Sequence, residues 1–449
     1  MKYNIKKYLQ IDFILALFFR GSGVLLSFVL NIVLARKYGP ELTGEYFIFY
    51  NFMTLVASIA FMGLSYVIVH RLTPLYGVNK SEESDTGNTL LSLTVYILLA
   101  NLLLVSLTIA IASPWLSKYL GGSAEYVMAI IISAIGILPY TAIMTLAELL
   151  KALKKPNQSI LAINILVNAV FICFLALNSN IAINEMLVLF GISNVIAFIL
   201  IIIINLSQIK KVGLRIFSLS KTIKKTEEYK DLCRDYLNEN WQLTAVGVSN
   251  VVLNVFDTLV IGNMLSSTDV AIYSIANKVV SFGSIILTTV NVVIGYKIAE
   301  LSFTNNKQGL RNILVKYTRV MMPISLVYYV AAIVFSMFIP TIFGIEYDGS
   351  VNLAMVLAIG QVITIATGPC SYFLIMTGYT KKYRQIVVTT AALTIVLNII
   401  LVKLFGVYGS AISSVFVLFY KNVYTFIFAK GTVGLKISDF YVRCMRNEC

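Results

Sequence analysis

Charged residues are scarce in this sequence. Only 12% of its 449 residues are Asp, Glu, Lys or Arg, and 58% are hydrophobic, whereas a soluble domain carries about a quarter charged residues. The apolar residues fall in blocks long enough to cross a hydrocarbon core of about 30 Å at 1.5 Å per residue. We therefore predict an all-α integral membrane protein.

Residues that carry out enzyme chemistry are also few. The sequence has one histidine, His70, without the Ser/Asp or Cys/His pattern of nucleophilic catalysis. It has no Walker A motif, and Gly21 and Gly23 are followed by Leu26 where a dinucleotide fingerprint needs glycine. The five cysteines show neither CxxC nor metal-ligand spacing. We expect a protein that is not an enzyme and that has no cofactor and no metal site.

Twelve apolar blocks predict twelve transmembrane helices. Their ranges are 13–35, 45–69, 89–112, 125–147, 159–178, 184–206, 241–264, 270–296, 320–343, 351–377, 385–405 and 408–430. The segment 207–240 separates six spans from six, which predicts an N-lobe (1–206), a cytoplasmic linker loop (207–240), a C-lobe (241–430) and a cytoplasmic tail (431–449). An even number of spans per lobe makes the two lobes parallel. The late, mixed-charge part of the linker is either an amphipathic surface helix or a solvated loop.

Lys and Arg residues concentrate on one side of these spans. With the N-terminus inside, only Arg36, Lys37, Lys118 and Lys403 of the 35 Lys and Arg residues fall in outer loops. Inner loops of membrane proteins carry this excess of cations. The formal net charge of +14 is therefore a topology signal, which predicts cytoplasmic N- and C-termini and no nucleic-acid partner.

Four ionisable residues lie inside the predicted spans, where each costs roughly 2.5–3.5 kcal/mol at mid-membrane: Arg20, Asp257, Lys278 and Lys421. Asp257 and Lys278 fall about 10 and 12 Å below the outer face on consecutive antiparallel spans. A structural ion pair and a role in substrate or ion coupling both stay open for them. Arg20 and Lys421 either reach inner headgroups or face a water-filled cavity. Three cations against one carboxylate favour an anionic cargo.

Polar uncharged residues mark the first, second, seventh and eighth spans. Asn250, Asn254 and Asp257 share one helix face at spacings of four and three residues, as interhelical contacts or as a cavity wall. Spans 9 to 11 show fewer such stripes, so we expect them to be packing helices. The candidate substrate-binding residues are Arg20, Asn31, Asn51, Asn254, Asp257, Lys278 and Lys421, and Asp257 is also the candidate for a coupling ion.

Two stretches of the sequence resemble a known family. They are Arg20-Gly21-Ser22-Gly23 with Leu34-Ala35-Arg36-Lys37-Tyr38-Gly39-Pro40, and Asp257-Thr258-Leu259-Val260-Ile261-Gly262 with Ala271-Ile272-Tyr273-Ser274-Ile275-Ala276-Asn277-Lys278. They resemble Wzx-type O-antigen and polysaccharide flippases of the multidrug/oligosaccharidyl-lipid/polysaccharide exporter superfamily. The resemblance implies two six-helix lobes around a central cavity, with Arg20, Asp257 and Lys278 as its intramembrane charges.

The resemblance also implies a function. We expect a flippase that moves an undecaprenyl-pyrophosphate-linked oligosaccharide, an O-antigen or other surface polysaccharide unit, across the bacterial inner membrane by alternating access. Membrane lipids, a polysaccharide polymerase and glycosyltransferases are its expected partners. Two alternatives stay open. A small-molecule or multidrug cation antiporter of the same superfamily would favour acidic cavity residues, and a membrane scaffold for polysaccharide assembly would need no charges in its spans.

Overall fold

A computed structural model describes residues 2–61, 64, 68–69, 72–73, 81–120, 124–212, 227–304 and 306–434. Within these ranges the chain is helical apart from short connections and contains no β-strand. His70, the middle of the predicted linker (213–226) and most of the predicted tail (435–449) lie outside the described residues. The chain divides into two compact units, Met1–Val251 and Val252–Cys449. The predicted boundaries at 206 and 241 stay a prediction.

In the described residues of the first unit there are five long helices and the start of a sixth. They are α1 (Lys2–Phe61), α2 (Ser81–Leu120), α3 (Ala124–Ala152), α4 (Pro156–Leu177), α5 (Ile183–Val212) and α6 (Glu227–Met264), which continues into the second unit. Residues Leu161–Leu166 of α4 form a π-helical turn. The late part of the predicted linker is thus helical and continuous with α6. Of the two alternatives given for this segment, a helix or a loop, the structure shows the helix.

The second unit continues from α6 through eight further helices. They are α7 (Ser267–Val280), α8 (Gly283–Phe303), α9 (Lys307–Ser336), α10 (Ile339–Phe343), α11 (Gly349–Ala366), α12 (Cys370–Met376), α13 (Thr380–Phe405) and α14 (Val407–Thr432). The predicted tenth span is interrupted between α11 and α12, where Gly368 has φ of 67° and Pro369 follows. Proline removes a backbone donor and restricts the residue before it.

Helix α1 accounts for two spans. Its apolar part, Phe18–Phe61, has 44 residues and is about 66 Å long at 1.5 Å per residue, twice the thickness of a bilayer core. Gly39 interrupts it with φ 73° and ψ 176°, a conformation open almost only to glycine, and Pro40 follows. The predicted outer loop between the first two spans is therefore a kink.

The helix count confirms a membrane protein of about twelve spans. Ten helices of the described ranges are long and apolar enough to cross a membrane, and α7 with α8 forms an eleventh, bent by 43°. Counting α1 as two spans brings the number to twelve. The predicted eighth span is thus broken at Ser281 and Phe282, where the hydroxyl of Tyr328 donates to the carbonyl oxygen of Val280 at 2.5 Å. That bond satisfies a carbonyl that the break leaves without its helical donor.

Side-chain contacts explain how the helices of the first unit pack. Aromatic rings join α1, α4 and α5, with ring centroids 5.6 Å apart for Tyr46 and Phe171 and 5.3 Å for Phe171 and Phe190. A Cβ on Gly23 of α1 would lie 2.7 Å from Cβ of Asn164 in the π turn of α4. Gly23 therefore allows the close packing expected of a small residue in this span, whereas no atom lies within 4 Å of that position on Gly21.

One end of the second unit is strongly basic. A buried cluster there brings together Ile298, Leu314, Phe373, Ile386 and Ala429, so the adjoining ends of α8, α9, α12, α13 and α14 lie on one side. The cations at this end are Lys297, Lys307, Arg311, Lys381, Lys382, Arg384 and Lys430, and Glu300 is the acidic residue of the same described segments. The connections at the opposite end carry Asp269, Glu346, Asp348 and Lys403.

A buried carboxylate as candidate functional site

Asp257 of α6 is a buried carboxylate in the second unit, with a side chain only 6% exposed. Its Oδ2 accepts hydrogen bonds from the Tyr273 hydroxyl at 2.6 Å and from the Ser414 hydroxyl at 2.5 Å. Its Oδ1 accepts a hydrogen bond from the Asn398 amide nitrogen at 2.6 Å. Four helices, α6, α7, α13 and α14, therefore meet at one acidic side chain.

The turn between α13 and α14 positions two of these donors. Gly406 makes the turn with φ of 59°, and a Cβ on Gly409 would lie 1.9 Å from the carbonyl oxygen of Leu401. This close approach of the two backbones sets Ser410 against Asn398, whose Oδ1 accepts from the Ser410 hydroxyl at 2.8 Å. Asn398 is thereby held with its amide directed at Asp257.

The hydrogen bonds around Oδ2 share too few protons when Asp257 is ionised. The oxygens of Asp257, Tyr273 and Ser414 make three mutual contacts of 2.6, 2.5 and 3.0 Å. Two hydroxyl groups supply two protons, so one contact has none. A proton on the carboxyl group would provide the third. Among the described residues, no cation forms an ion pair with Asp257. The carboxylate can therefore bind a proton or a small metal cation as its counter-ion.

Comparison with known proteins identifies the family. A family model described as "Polysaccharide biosynthesis protein" matches residues 12–294, which is more than half of the chain. The chain belongs to the polysaccharide biosynthesis protein family. No curated protein sequence matches the chain.

Solved structures show the fold of this family member. A multidrug resistance MATE family transporter of the MOP superfamily, in an inward-facing conformation, aligns with TM-score 0.72 and 16% identity over 92% of this chain and 94% of that chain. The lipid II flippase MurJ, in an inward closed conformation, aligns with TM-score 0.71 and 16% identity over 96% and 89%. The chain therefore shares the fold of these two proteins.

The ion pair between Asp257 and Lys278, one of the two alternatives left open by the sequence, is not formed in the structure. Tyr273 is the residue of α7 that contacts Asp257, and Lys278 follows it by five residues, a rotation of about 140° around the helix. Lys278 is exposed, and among the described residues it has no carboxylate partner. Structural pairing is therefore excluded as the reason for these two charges, and the role of Lys278 in substrate binding stays a prediction.

The remaining candidates of the second unit lie apart from the carboxylate. Asn254 is exposed on α6, one turn from Asp257. Lys421 is half-buried on α14. It follows Ser414 by seven residues, which places it on the same helix face about 10 Å along the axis. The structure thus brings only Asp257, out of the predicted residues, into the hydrogen-bonded cluster.

The candidates of the first unit have different surroundings. Arg20 is exposed on α1, and Asn51 is half-buried after the Gly39 kink. Asn31 is buried, and its amide donates to the carbonyl oxygen of Ser27 one turn earlier at 2.7 Å. Asn31 therefore uses one of its donors within its own helix, while contacts of Arg20 and Asn51 with a substrate stay predictions.

Sequence reasoning missed the partners of Asp257. Spans 9 to 11 were expected to be packing helices, but the eleventh carries buried Thr390, Thr394 and Asn398 at four-residue spacing, and Asn398 contacts the carboxylate. That stripe was a usable signal. Ser414 had no comparable signal, because a single serine in an apolar helix commonly bonds its own backbone.

Proposed function

We propose that the protein is a flippase for an undecaprenyl-pyrophosphate-linked oligosaccharide, such as an O-antigen or another surface polysaccharide unit, in the bacterial inner membrane. The observation that carries the proposal is the family match over residues 12–294 on a transporter fold. The matched segment includes Arg20, Asp257 and Lys278. MurJ, which its description calls a lipid II flippase, supports the same kind of activity.

Elementary energetics explain why such a cargo needs a protein. Sugar hydroxyls that enter hydrocarbon lose their water partners, and each unpaired hydroxyl costs several kcal/mol. A polar path through the protein supplies replacement partners while the polyprenyl tail stays in the bilayer. Each negative charge moved outward gains about 2.3 kcal/mol per 100 mV of inside-negative potential, so the pyrophosphate favours outward transport by alternating access.

The candidate residues take separate roles in this proposal. Arg20 and Lys421 attract the pyrophosphate, since both are cations within apolar helices. Asn31, Asn51, Asn254 and Lys278 contact the polar head. The chain itself acts as a transporter and not as an enzyme, with polymerase and glycosyltransferases as partners. In this proposal the basic end of the second unit faces the cytoplasm, as the positive-inside rule favours, and both termini are cytoplasmic.

Asp257 binds the coupling ion in this proposal. The three mutual contacts among the oxygens of Asp257, Tyr273 and Ser414 lack one proton when the carboxyl group is ionised, and among the described residues no cation pairs with this carboxyl group. A proton that enters with one conformation and leaves with the other would couple transport to the proton gradient. Sodium is the other small cation that such an oxygen-rich site accommodates.

A deletion experiment tests the function. Cells that lose this protein should lose surface polysaccharide and accumulate the lipid-linked oligosaccharide, because assembly then stops before the outer face. The wild-type chain should return surface polysaccharide and lipid-linked oligosaccharide to their normal amounts. The Arg20→Ala chain should restore less than a tenth of the surface polysaccharide, since a charged hydrogen bond is worth about 1.5–3 kcal/mol. Lys403→Ala is the matched control, which removes a cation from an end of the second unit that lacks a proposed role.

Two outcomes would contradict the proposal. Unchanged polysaccharide together with greater sensitivity to cationic drugs would instead support the antiporter. Full restoration by a chain carrying Arg20→Ala, Asp257→Asn and Lys278→Ala at equal abundance would support the scaffold, which needs no charges in its spans. Protein abundance in the membrane, measured by quantitative blotting, separates loss of transport from loss of folding.

A further inference from the structure

The stretch between Asp348 and Asp439 contains no acidic residue. Its cations are Lys381, Lys382, Arg384, Lys403, Lys421, Lys430 and Lys436. Among the described residues, Lys381, Lys382, Lys421 and Lys430 form no ion pair. Helices α13 and α14 therefore offer an unneutralised positive surface at the basic end of the second unit.

Aromatic rings hold one of these cations in place. The Lys382 ammonium lies 5.8 Å from the ring centroid of Tyr424 and 5.6 Å from that of Phe428, within the range of cation–π attraction. The Tyr379 ring packs edge-on against Phe428 at 5.8 Å. Lys381 beside it is exposed. Tyrosine side chains prefer the headgroup level of a bilayer, so this cluster has the composition of a membrane interface.

The depth of the cations matches a lipid headgroup. Tyr424 and Phe428 lie on one face of α14, separated by about 40° around the helix. Lys381 and Lys382 begin α13, whose first turn contains no acidic residue and adds the partial positive charge of a helix N-terminus. The neighbouring face of α14 exposes Phe416, Phe419 and Ile427, which suits acyl chains.

We propose that this surface, formed by Lys381, Lys382, Tyr424 and Phe428 and here called the α13–α14 basic surface, binds an acidic diacyl phospholipid through its phosphate. Charge complementarity selects an anionic headgroup, and the exposed apolar face beside it selects a bilayer lipid with two acyl chains over a soluble phosphate. The inference is independent of the transported cargo, since it concerns a resident lipid at the membrane-facing side of two helices.

Native mass spectrometry of the purified full chain tests this proposal. The protein in detergent is titrated with phosphatidylglycerol or with phosphatidylcholine of the same acyl chains. The wild type should bind phosphatidylglycerol about tenfold more tightly than phosphatidylcholine. The double variant Lys381→Ala, Lys382→Ala should lose about this tenfold preference, since each lysine contributes to the attraction of an anionic headgroup. Lys403→Ala, which removes a cation from the opposite end of α13, should bind as the wild type does.

A second measurement separates a loss of lipid binding from a loss of folding. Phosphatidylglycerol should raise the unfolding temperature of the wild type and of Lys382→Arg, which keeps the charge and the ring contacts, and should leave that of the double variant unchanged. Equal binding of the two lipids to the wild type would overturn the proposal. So would a loss of phosphatidylglycerol binding in Lys403→Ala as large as that in the double variant. Displacement of phosphatidylglycerol by equimolar undecaprenyl pyrophosphate would overturn it too, since the surface would then bind cargo. None of these outcomes depends on polysaccharide export.

Discussion

Asp257 shows what one residue does when burial and hydrogen bonding act without a counter-charge. A buried carboxylate is unfavourable unless donors or a cation surround it. Here the hydroxyls of Tyr273 and Ser414 and the amide of Asn398 are the donors. All three are neutral, so the site changes its net charge when a proton or metal cation binds. That property distinguishes a coupling site from a structural ion pair.

The Asp257→Asn variant tests the coupling role. Asparagine has the same shape and keeps an acceptor for Asn398, so the variant should fold. A ligand that binds only the folded state raises the unfolding temperature, so the wild type should become more stable as the pH is lowered when a proton binds Asp257. The variant should lose this dependence. Thermal unfolding in detergent, with and without sodium, measures it.

The matched control for this variant is Asp269→Asn. Asp269 lies in the first turn of α7, where its carboxylate accepts from the Ser266 hydroxyl at 2.7 Å, near the end of a helix and away from the buried cluster. The unfolding temperature of Asp269→Asn should respond to pH as that of the wild type does. A response to sodium in place of pH would identify a metal cation as the ligand. An unchanged pH and sodium dependence in Asp257→Asn would rule out the coupling role.

Breaks in the helices are the main structural feature at the scale of elements. Helix α1 bends at Gly39, α7 and α8 are separated at Ser281 and Phe282, and α11 ends before Pro369. Each break leaves backbone groups without helical partners, and inside a membrane these must bond to protein. The Tyr328 hydroxyl does this for Val280. The hydroxyl of Tyr38 donates to the carbonyl oxygen of Asn178 at 2.6 Å at the end of α4.

Gly409 tests how the α13–α14 hairpin supports the site. A Cβ at this position would overlap the backbone of Leu401, so Gly409→Ala should force the helices apart and separate Ser410 from Asn398. We expect a loss of roughly 2–4 kcal/mol in stability, as for other overpacked or strained positions. Gly431→Ala on the same helix meets no atom within 4 Å and should unfold at the wild-type temperature. Thermal unfolding compares them, and equal temperatures would contradict the close approach.

At the scale of the whole molecule, the distribution of charge sets the orientation in the membrane. In the second unit, the basic end and the opposite end differ in the sign of their net charge. Since cytoplasmic loops of membrane proteins are enriched in Lys and Arg, the basic end should face the cytoplasm. In the proposed function, this orientation would make the inner side the one from which the anionic cargo approaches.

Cysteine labelling tests the orientation. A membrane-impermeant maleimide applied to intact cells should label Glu346→Cys and should leave Lys307→Cys unlabelled until the membrane is opened. Both positions are exposed in the structure, so access depends on the side of the membrane. The parent chain with its own five cysteines replaced by serine is the control. Labelling of Lys307→Cys from outside would invert the topology.

Hydropathy and charge along the sequence determined the fold class and the approximate number of spans. A bilayer imposes one length rule on every segment, so a one-dimensional pattern suffices for these features. The interval between the first two predicted spans contains Gly39 and Pro40, and the structure makes it a kink and not a loop.

Only the tertiary structure decided which side chains surround Asp257. Asn398 and Ser414 are 141 and 157 residues away in sequence, and the rotation of each helix about its axis depends on packing contacts such as that of Gly409 with Leu401. A rotation of 140° separates Tyr273, which contacts the carboxylate, from Lys278, which does not. Depth in the membrane follows from counting residues, but the direction of a side chain follows from its neighbours.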